Sequence, residues 1–353
     1  VSIDAGTHTL RLELGADFTI NYLYIVSETN PPASTIPPGA MPTSTPPPDY
    51  SSIVSQYGQL QVIGSALCDE SGNEIQLKGM GTHGLQWHPI MTDHTIYNLV
   101  YDWNIQVIRP AMYIEEYKDG NYWGGYEAHS HYMKTKLIEL IEDALDVGIY
   151  ILLDWHIHND PTKFTSIAID FYREMAATYG HYPNVIYEIC NEPEYVSWDV
   201  VKSYAHEVIP EIRAIDPDNI IIVGTPNWCQ DLDVVANDPL TGYTNMMYAL
   251  HFYAGTHQQS IRDKADAALN AGLPVIVTEW GTTNYTGGTD GVNYFPESNV
   301  WIEWMNQRNI SWINWNFSYE DAASSALIPG ANLGGPWADA DLTASGTYIK
   351  SLI

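Results

Sequence analysis

The chain has 353 residues, 45% of them hydrophobic, and its 14 Lys and Arg against 43 Asp and Glu give a formal net charge of −29. Such a charge repels phosphate backbones and anionic lipids, and the chain has no apolar run long enough to span a bilayer, so we expect no nucleic-acid or membrane partner. The 12 Trp and 25 Tyr against 6 Phe favour a surface that meets a hydroxylated, partly apolar partner, with core packing as the alternative.

The first fifty residues differ in composition from the rest of the chain. Residues 1–26 alternate in polarity like two strands around Gly15-Ala16-Asp17, and residues 27–50 form a Pro/Ser/Thr-rich linker. A two-stranded ribbon is barely stable alone, so we interpret residues 1–26 as the remnant of a β-sandwich whose beginning is missing. The apolar faces of this remnant predict packing on the main domain or self-association with another copy. With Val1 in place of an initiator Met, the sequence suggests a fragment of a longer, processed polypeptide.

Residues 51–353 predict one continuous α/β domain. A small hairpin over Leu60–Ile63 and Ala66–Asp69 precedes eight apolar strand candidates: Ile75–Met80, Ile105–Pro110, Ile149–Asp154, Val185–Ile189, Ile220–Gly224, Met247–Phe252, Pro274–Thr278 and Ser311–Asn316. The helical patterns between them include Tyr132–Val147, Phe164–Tyr179, Val200–Ala214, Ile261–Ala271 and Val300–Arg308. This alternation is typical of a (β/α)8 TIM barrel, and an open doubly wound sheet is less favoured because no Gly-rich turn follows the first strand.

Polar and aromatic side chains follow the ends of most of these strands. The carboxyl ends of parallel barrel strands share one face, where the active sites of such barrels lie. The residues that this rule brings together are His83, Trp87, Arg109, Asp154, His156, Asn191, Glu192, His251, Tyr253, Glu279 and Trp315. Each of them could instead be structural, as an ion pair or as a buried histidine bonded to the backbone.

Two of these residues are glutamates on different sides of the ring. Glycoside hydrolysis needs one carboxyl that holds a proton and one that is ionised. Arg109 and Tyr253 are suited to keep Glu279 ionised, and Asn191 beside Glu192 offers donors to a sugar hydroxyl. The flat rings of Trp87 and Trp315 suit pyranose faces.

The sequence around these residues resembles glycoside hydrolase family 5, in particular its secreted bacterial endoglucanases. The resemblance is carried, in order, by KGMGTHGLQW (78–87), IRPAMY (108–113), LDWH (153–156), ICNEP (189–193), HFYA (251–254), TEWG (278–281) and SWINWN (311–316). Residues 1–26 also resemble the end of a family 6 carbohydrate-binding module. The family 5 resemblance implies a secreted, extracellular bacterial enzyme that cleaves a β-glucan with retention and needs no cofactor or metal.

Carried over by position, the resemblance implies Glu192 as acid/base and Glu279 as nucleophile. It implies supporting roles for Arg109, His156, Asn191, His251 and Tyr253, and substrate contacts for His83, Trp87 and Trp315. The chain departs from the family after WNFS, where related cellulases carry a Lys and, two residues later, a Glu that contact sugar. Glu320 and Ala322 stand at those places, so Glu320 is expected to contact the substrate differently.

Several alternatives stay open at this point. Mannan, xylan, xyloglucan and mixed-linkage glucan compete with cellulose as substrates, and a non-catalytic carbohydrate-binding barrel would keep the same cleft. The pair His156 and His158 suggests a metal-dependent hydrolase, but further ligands at the strand ends are missing. The cysteines Cys68, Cys190 and Cys229 have no C-x-x-C spacing, so any disulfide pairing is left open.

Overall fold

A computed structural model describes residues 51–87, 93–115 and 124–353. In this part of the chain, parallel strands close into a barrel with helices on its outside, which confirms the predicted (β/α)8 fold. The predicted strand pair 1–26, its self-association and the linker 27–50 lie outside the described residues. No helix of the described ranges has the length and apolar character that crossing a membrane requires.

The strands follow the predicted order, with boundaries that differ by a few residues. They are β1 (Gln61–Ile63), β2 (Ala66–Cys68), β3 (Lys78–Thr82), β4 (Val107–Arg109), β5 (Ala111–Tyr113), β6 (Tyr150–His156), β7 (Val185–Glu188), β8 (Ile221–Val223), β9 (Met246–Tyr253), β10 (Val275–Gly281) and β11 (Trp312–Phe317). Strands β3 to β11 form the barrel, and β3 pairs in parallel with both β4 and β11. These pairings join the first and last strands and close the sheet.

The second barrel strand is interrupted at Pro110, between β4 and β5. Proline has no backbone N–H to donate to a neighbouring strand, so the hydrogen-bond ladder breaks there. Both halves still pair in parallel with β6, through Ile108 beside Ile151 and Met112 beside Trp155. Together β4 and β5 therefore act as one strand of the barrel.

The helices surround the barrel in the order that the sequence predicts. They are α1 (Ile53–Tyr57), α2 (Asp93–Trp103), α3 (Tyr126–Val147), α4 (Thr165–Tyr179), α5 (Trp198–Arg213), α6 (Pro226–Cys229), α7 (Leu232–Asn237), α8 (Gln259–Asn270), α9 (Phe295–Asn306) and α10 (Ala344–Lys350). The short helices α1, α6, α7 and α10 and the amphipathic helix α2 were not among the predicted patterns. The five predicted helical patterns correspond to α3, α4, α5, α8 and α9.

The hairpin β1–β2 lies at the amino ends of the barrel strands, as predicted. The backbone N–H of Val62 donates to the Asn245 side chain just before β9, at 3.0 Å. The Tyr150 hydroxyl at the start of β6 donates to the Gly58 carbonyl at 2.7 Å. This end of the barrel is therefore closed by structural contacts, and the opposite end is left for a site.

Many of the aromatic rings pack inside the protein. Trp103, Trp155, Trp280, Trp301 and Trp312 are fully buried. Trp301 of α9 stacks on Phe252 of β9 with ring centroids 3.8 Å apart. Core packing therefore explains a large share of the Trp content. Cys68, Cys190 and Cys229 are all buried as free thiols.

Candidate active site

A cleft of about 820 Å³ opens at the carboxyl ends of the barrel strands. Its lining combines carboxyl groups, histidines and aromatic rings from strand ends and loops on opposite sides of the barrel. Among them are His83, Tyr113, His156, His158, Glu192, Tyr195, Trp228, His251, Tyr253, Glu279, Tyr285, Trp315 and Glu320. A cleft of this size at this face is where the fold places its ligand sites.

Glu192 follows β7 and faces two histidines. Its Oε1 lies 2.8 Å from Nδ1 of His251, and its Oε2 lies 3.7 Å from Nε2 of His158. Only 12% of its side chain is exposed, and this burial raises the pKa of Glu192. The carboxyl group is thus held in a setting that favours its protonated form.

Glu279 lies on β10 and receives two donors. Arg109 Nη1 donates to its Oε2 at 3.0 Å, and the Tyr253 hydroxyl donates to its Oε1 at 2.7 Å. Burial and then the charge of Glu192 raise the pKa of Glu279, while His251, Arg109 and the Tyr253 hydrogen bond lower it. Both donors favour the ionised carboxylate.

The two carboxyl groups lie close together. One ligand atom from each of Glu192, His251 and Glu279 falls within 4.8 Å of the other two. Among the described residues these three form the group that could hold a metal ion, and it leaves out His156 and His158, the pair that suggested a metal-dependent hydrolase. The expectation of no metal and no cofactor stays a prediction.

Arg109 of β4 contacts both Glu279 and the residue before Glu192 from inside the barrel. Besides Glu279, it donates through Nε to Glu188 at 2.6 Å and through Nη2 to the Asn191 side-chain oxygen at 2.6 Å. Its Nη2 also lies 3.1 Å from Asp154 Oδ2. Burial raises the pKa of Asp154 to about 7 and likewise raises the pKa of Glu188 to about 7.

His156 at the end of β6 is held in one orientation. Its Nδ1 lies 2.6 Å from Asp154 Oδ2, and its Nε2 lies 3.4 Å from the Asn191 amide nitrogen. Burial lowers the pKa of His156 well below its usual value, so the ring is neutral and donates from Nδ1 to the carboxylate. The ring also stacks on Trp315, with centroids 5.5 Å apart.

Comparison with known proteins places this site in a family. The family model described as Cellulase (glycosyl hydrolase family 5) matches residues 68–321. The chain belongs to glycosyl hydrolase family 5. This family 5 chain is 47% identical over 301 residues to an endoglucanase of Clostridium saccharobutylicum, a match that covers 84% of this chain and 65% of that protein. It is 41% identical over 327 residues to endoglucanase E-5 of Thermobifida fusca, a match that covers 89% of this chain and 66% of that protein.

Solved structures of the family share the architecture. The catalytic domain of the Thermobifida fusca endoglucanase Cel5A (E5) superposes with a TM-score of 0.79 at 40% identity, covering 85% of this chain and 99% of that domain. Cellulase Cel5C_n superposes with a TM-score of 0.78 at 43% identity, and the match covers 87% of this chain and 94% of that chain. The family 5 chain spans 65% and 57% of the length of the first two curated relatives that it matches.

The structure brings the predicted site residues of the family 5 chain together. Arg109 and Asn191 lie beneath the cleft, and the other members of the set line it: Glu192, Glu279, His156, His251, Tyr253, His83, Trp315 and Glu320. Trp87 does not line the cleft and packs against it instead, 5.4 Å from the ring of His83 and 4.7 Å from that of Tyr113. Its predicted contact with substrate stays a prediction.

Sequence reasoning missed several residues of the site. His158, considered above only as half of a metal-binding pair, lines the cleft beside Glu192. Glu188 was not among the candidates, and together with the predicted Asp154 it surrounds Arg109 from inside the barrel. Tyr195 lies on a loop and Trp228 in the short helix α6, where periodicity gives no signal. One sequence signal could have revealed the network around Arg109. Glu188 stands in the apolar strand VIYEI, and an acidic side chain in a barrel core requires a partner.

Proposed function

We propose that this chain is a retaining endo-β-1,4-glucanase that hydrolyses internal bonds of cellulose or a related β-glucan. The observation that carries the proposal is the pair Glu192 and Glu279, with oxygens within 4.8 Å of each other and with different partners. Carboxyl groups about 5–5.5 Å apart suit double displacement, whereas inverting enzymes leave about 6.5–9.5 Å for a water molecule. The spacing favours retention.

Glu279 is the nucleophile in this proposal. Its ionised form receives hydrogen bonds from the Arg109 guanidinium and the Tyr253 hydroxyl. These donors hold the carboxylate in one orientation and oppose the effect of burial on its pKa. In the first step, an oxygen of Glu279 attacks the anomeric carbon and forms a glycosyl ester while the glycosidic bond breaks.

Glu192 is the acid and then the base. It starts protonated and transfers its proton to the glycosidic oxygen, so that the leaving chain departs neutral. In the ester, Glu279 no longer carries charge, and the pKa of Glu192 falls. Glu192 then takes a proton from water, whose oxygen attacks the anomeric carbon, releases the sugar and restores the Glu279 carboxylate.

His251 suits both states of Glu192. Burial lowers the pKa of His251 to about 4, so the ring carries a single proton at neutral pH. Its Nδ1 faces Glu192 and its Nε2 lies 2.8 Å from the Thr278 hydroxyl. Because a hydroxyl both donates and accepts, the ring proton can reside on either nitrogen. His251 can therefore accept from protonated Glu192 or donate to its carboxylate.

The relatives and the cleft support a β-glucan as substrate. Several relatives are endoglucanases, and a variant of the Thermobifida fusca catalytic domain was solved in complex with cellotetraose. The lining of His83, Trp315 and Tyr195 offers rings to pyranose faces along the cleft. Because an insoluble polymer cannot enter a cell intact, we also propose extracellular action, which a comparison of activity in culture medium and in washed cells would test.

The substrate experiment compares carboxymethylcellulose, mixed-linkage β-glucan, glucomannan and xylan, following viscosity, new reducing ends and product sizes. We expect a rapid loss of viscosity with cello-oligosaccharide products. Preference for mannan or xylan would overturn the assignment of β-glucan as substrate but would leave the roles of Glu192 and Glu279 unchanged.

A variant of the proposed nucleophile tests the mechanism. Glu279→Gln, with unchanged shape and no charge, should lose activity by several orders of magnitude, and an active variant would overturn the assignment of the nucleophile. An inactive but folded parent protein would indicate a binding barrel.

A further inference from the structure

Tyr195 is the large hydrophobic side chain with the highest exposure in the described part of the chain. It lies three residues after Glu192, lines the cleft, and exposes 83% of its surface. An exposed aromatic ring in the lining of a cleft is available to stack on a ligand that enters the cleft.

The ring of Tyr195 is held by the neighbouring loop. Its centroid lies 5.3 Å from that of Trp228, with the two planes at 80°, which is an edge-to-face contact. The half-buried Trp228 in turn hydrogen-bonds the Glu194 carboxyl, which lowers the pKa of that group against the effect of burial. The loop that carries Glu192 is therefore bound to the loop after β8 by rings and by a hydrogen bond.

The backbone of both loops is fixed in an uncommon conformation. Tyr195 has a φ of 56°, and the consecutive residues Asn227, Trp228 and Cys229 have φ of 56°, 55° and 58°. Left-handed backbone is unfavourable for residues with a side chain, and it persists where the surroundings impose it. Here the Cys229 thiol donates to the Asn191 carbonyl at 3.0 Å and so connects this turn to the residue before Glu192.

The position of Tyr195 and Trp228 in the cleft indicates which end of the substrate they face. His83 lines the cleft just after β3 and Trp315 from β11, whereas Tyr195 lines it from the loop after β7 and Trp228 from the short helix α6 after β8. These lie on opposite sides of the barrel, with Glu279 between them along the sheet order. In the proposed mechanism Glu192 gives its proton to the leaving oxygen, and Tyr195 lies three residues after Glu192 on the same loop, so the end of the cleft at Tyr195 faces the leaving group.

We propose that Tyr195, braced by Trp228, is an outer binding site for a pyranose ring of the leaving group. Trp228 is half-buried and lies deeper, so Tyr195 serves a sugar farther from the cleaved bond. An aromatic ring with a hydroxyl edge suits a pyranose, which has an apolar face and a polar rim. The inference rests on the proposed function and concerns where along a glucan chain the cut is made.

The test measures the cleavage pattern of cellopentaose that carries ¹⁸O at its reducing end. The leaving fragment retains the label, so mass spectrometry gives its length directly. Removing the ring in Tyr195→Ala should lower the ratio of long leaving fragments, of two or three sugars, to single-sugar fragments by about tenfold, the size of one aromatic contact. Tyr195→Phe keeps the ring and should keep the pattern of the parent protein.

Tyr182→Ala is the matched control, because Tyr182 is also an exposed tyrosine but does not line the cleft. The ratio of fragments within one reaction does not depend on the amount of folded protein, so a destabilised variant still gives a valid cleavage pattern. An unchanged ratio in Tyr195→Ala would overturn the inference, as would an equal change in Tyr195→Phe or Tyr182→Ala. Failure of the parent protein to cleave any oligosaccharide would instead overturn the proposed function.

Discussion

The guanidinium of Arg109 lies 3.0 Å from the Glu279 carboxylate and, through its Nε, 2.6 Å from the carboxylate of Glu188. With Asp154 at 3.1 Å, one fully buried cation contacts three carboxyl groups. A planar group with donors on several edges can satisfy all of them at once, whereas an ammonium group cannot. The orientation of the proposed nucleophile thus depends on charges deeper in the barrel that never reach the substrate.

Arg109→Lys should therefore reduce both stability and activity. Breaking a buried ion pair costs about 3–5 kcal/mol when charges are left uncompensated, and the lysine leaves at least part of this network without a donor. Urea unfolding measures the stability, and kcat/KM on a soluble β-glucan measures the activity. Arg173→Lys is the control, because the pair Arg173 and Glu211 is largely exposed and should cost less than about 1 kcal/mol. Equal losses in both variants would contradict the role of Arg109.

Tyr253→Phe should move the acid limb of the pH–rate profile to higher pH. The Tyr253 hydroxyl donates to ionised Glu279 at 2.7 Å, so its removal raises the pKa of that carboxyl. A hydrogen bond to a charged group contributes about 1.5–3 kcal/mol, or roughly one pH unit or more. Activity would then fall more at pH 5 than at pH 7. An acid limb at the same pH in both proteins would show that this hydrogen bond does not set the ionisation.

His257→Asn should weaken the dependence of stability on acid pH. Burial lowers the pKa of His257 to about 4, below the value of about 6.5 in an unfolded chain. The stability that this neutral ring contributes is present above about pH 6.5 and is lost as the pH falls towards 4. Asparagine can still accept from the Tyr253 N–H, as Nδ1 does at 2.9 Å.

The other buried groups are the same in both proteins, so the difference between the two stability curves isolates His257. His158 and His251 lose stability in the same direction as the pH falls. The raised pKa values of Asp154 and Glu188 act oppositely, because their contribution is lost as the pH rises towards 7. Parallel stability curves for the parent protein and the variant would contradict the prediction for His257.

The barrel could be predicted because its strands are apolar runs separated by amphipathic helices. The helix α2 was not predicted although its pattern is amphipathic. The helix α6 was missed because Asn227 and Trp228 have left-handed backbone, which periodicity does not reveal. The predicted strand Ile105–Pro110 ends at its proline, and its resumption as β5 after Pro110 was not predicted.

The site residues at the carboxyl ends of the strands could be predicted, and those farther along the loops were missed. Glu192, Glu279 and Arg109 follow or end strands, so topology alone brings them together. His158 lies past the strand end, and its contact with Glu192 depends on how the chain turns after β6. Tyr195 depends on a loop conformation imposed by distant contacts. Such contacts depend on three-dimensional packing that spacing along the chain does not encode.

The central claim, that Glu192 and Glu279 lie close enough for double displacement, is tested most directly by the stereochemistry of the first product. Freshly mixed protein and cellopentaose would be followed by ¹H NMR at the anomeric positions before mutarotation. The account predicts that the new reducing end appears first as the β-anomer and that the α-anomer accumulates later. Appearance of the α-anomer first would show inversion and would contradict a glycosyl ester on Glu279.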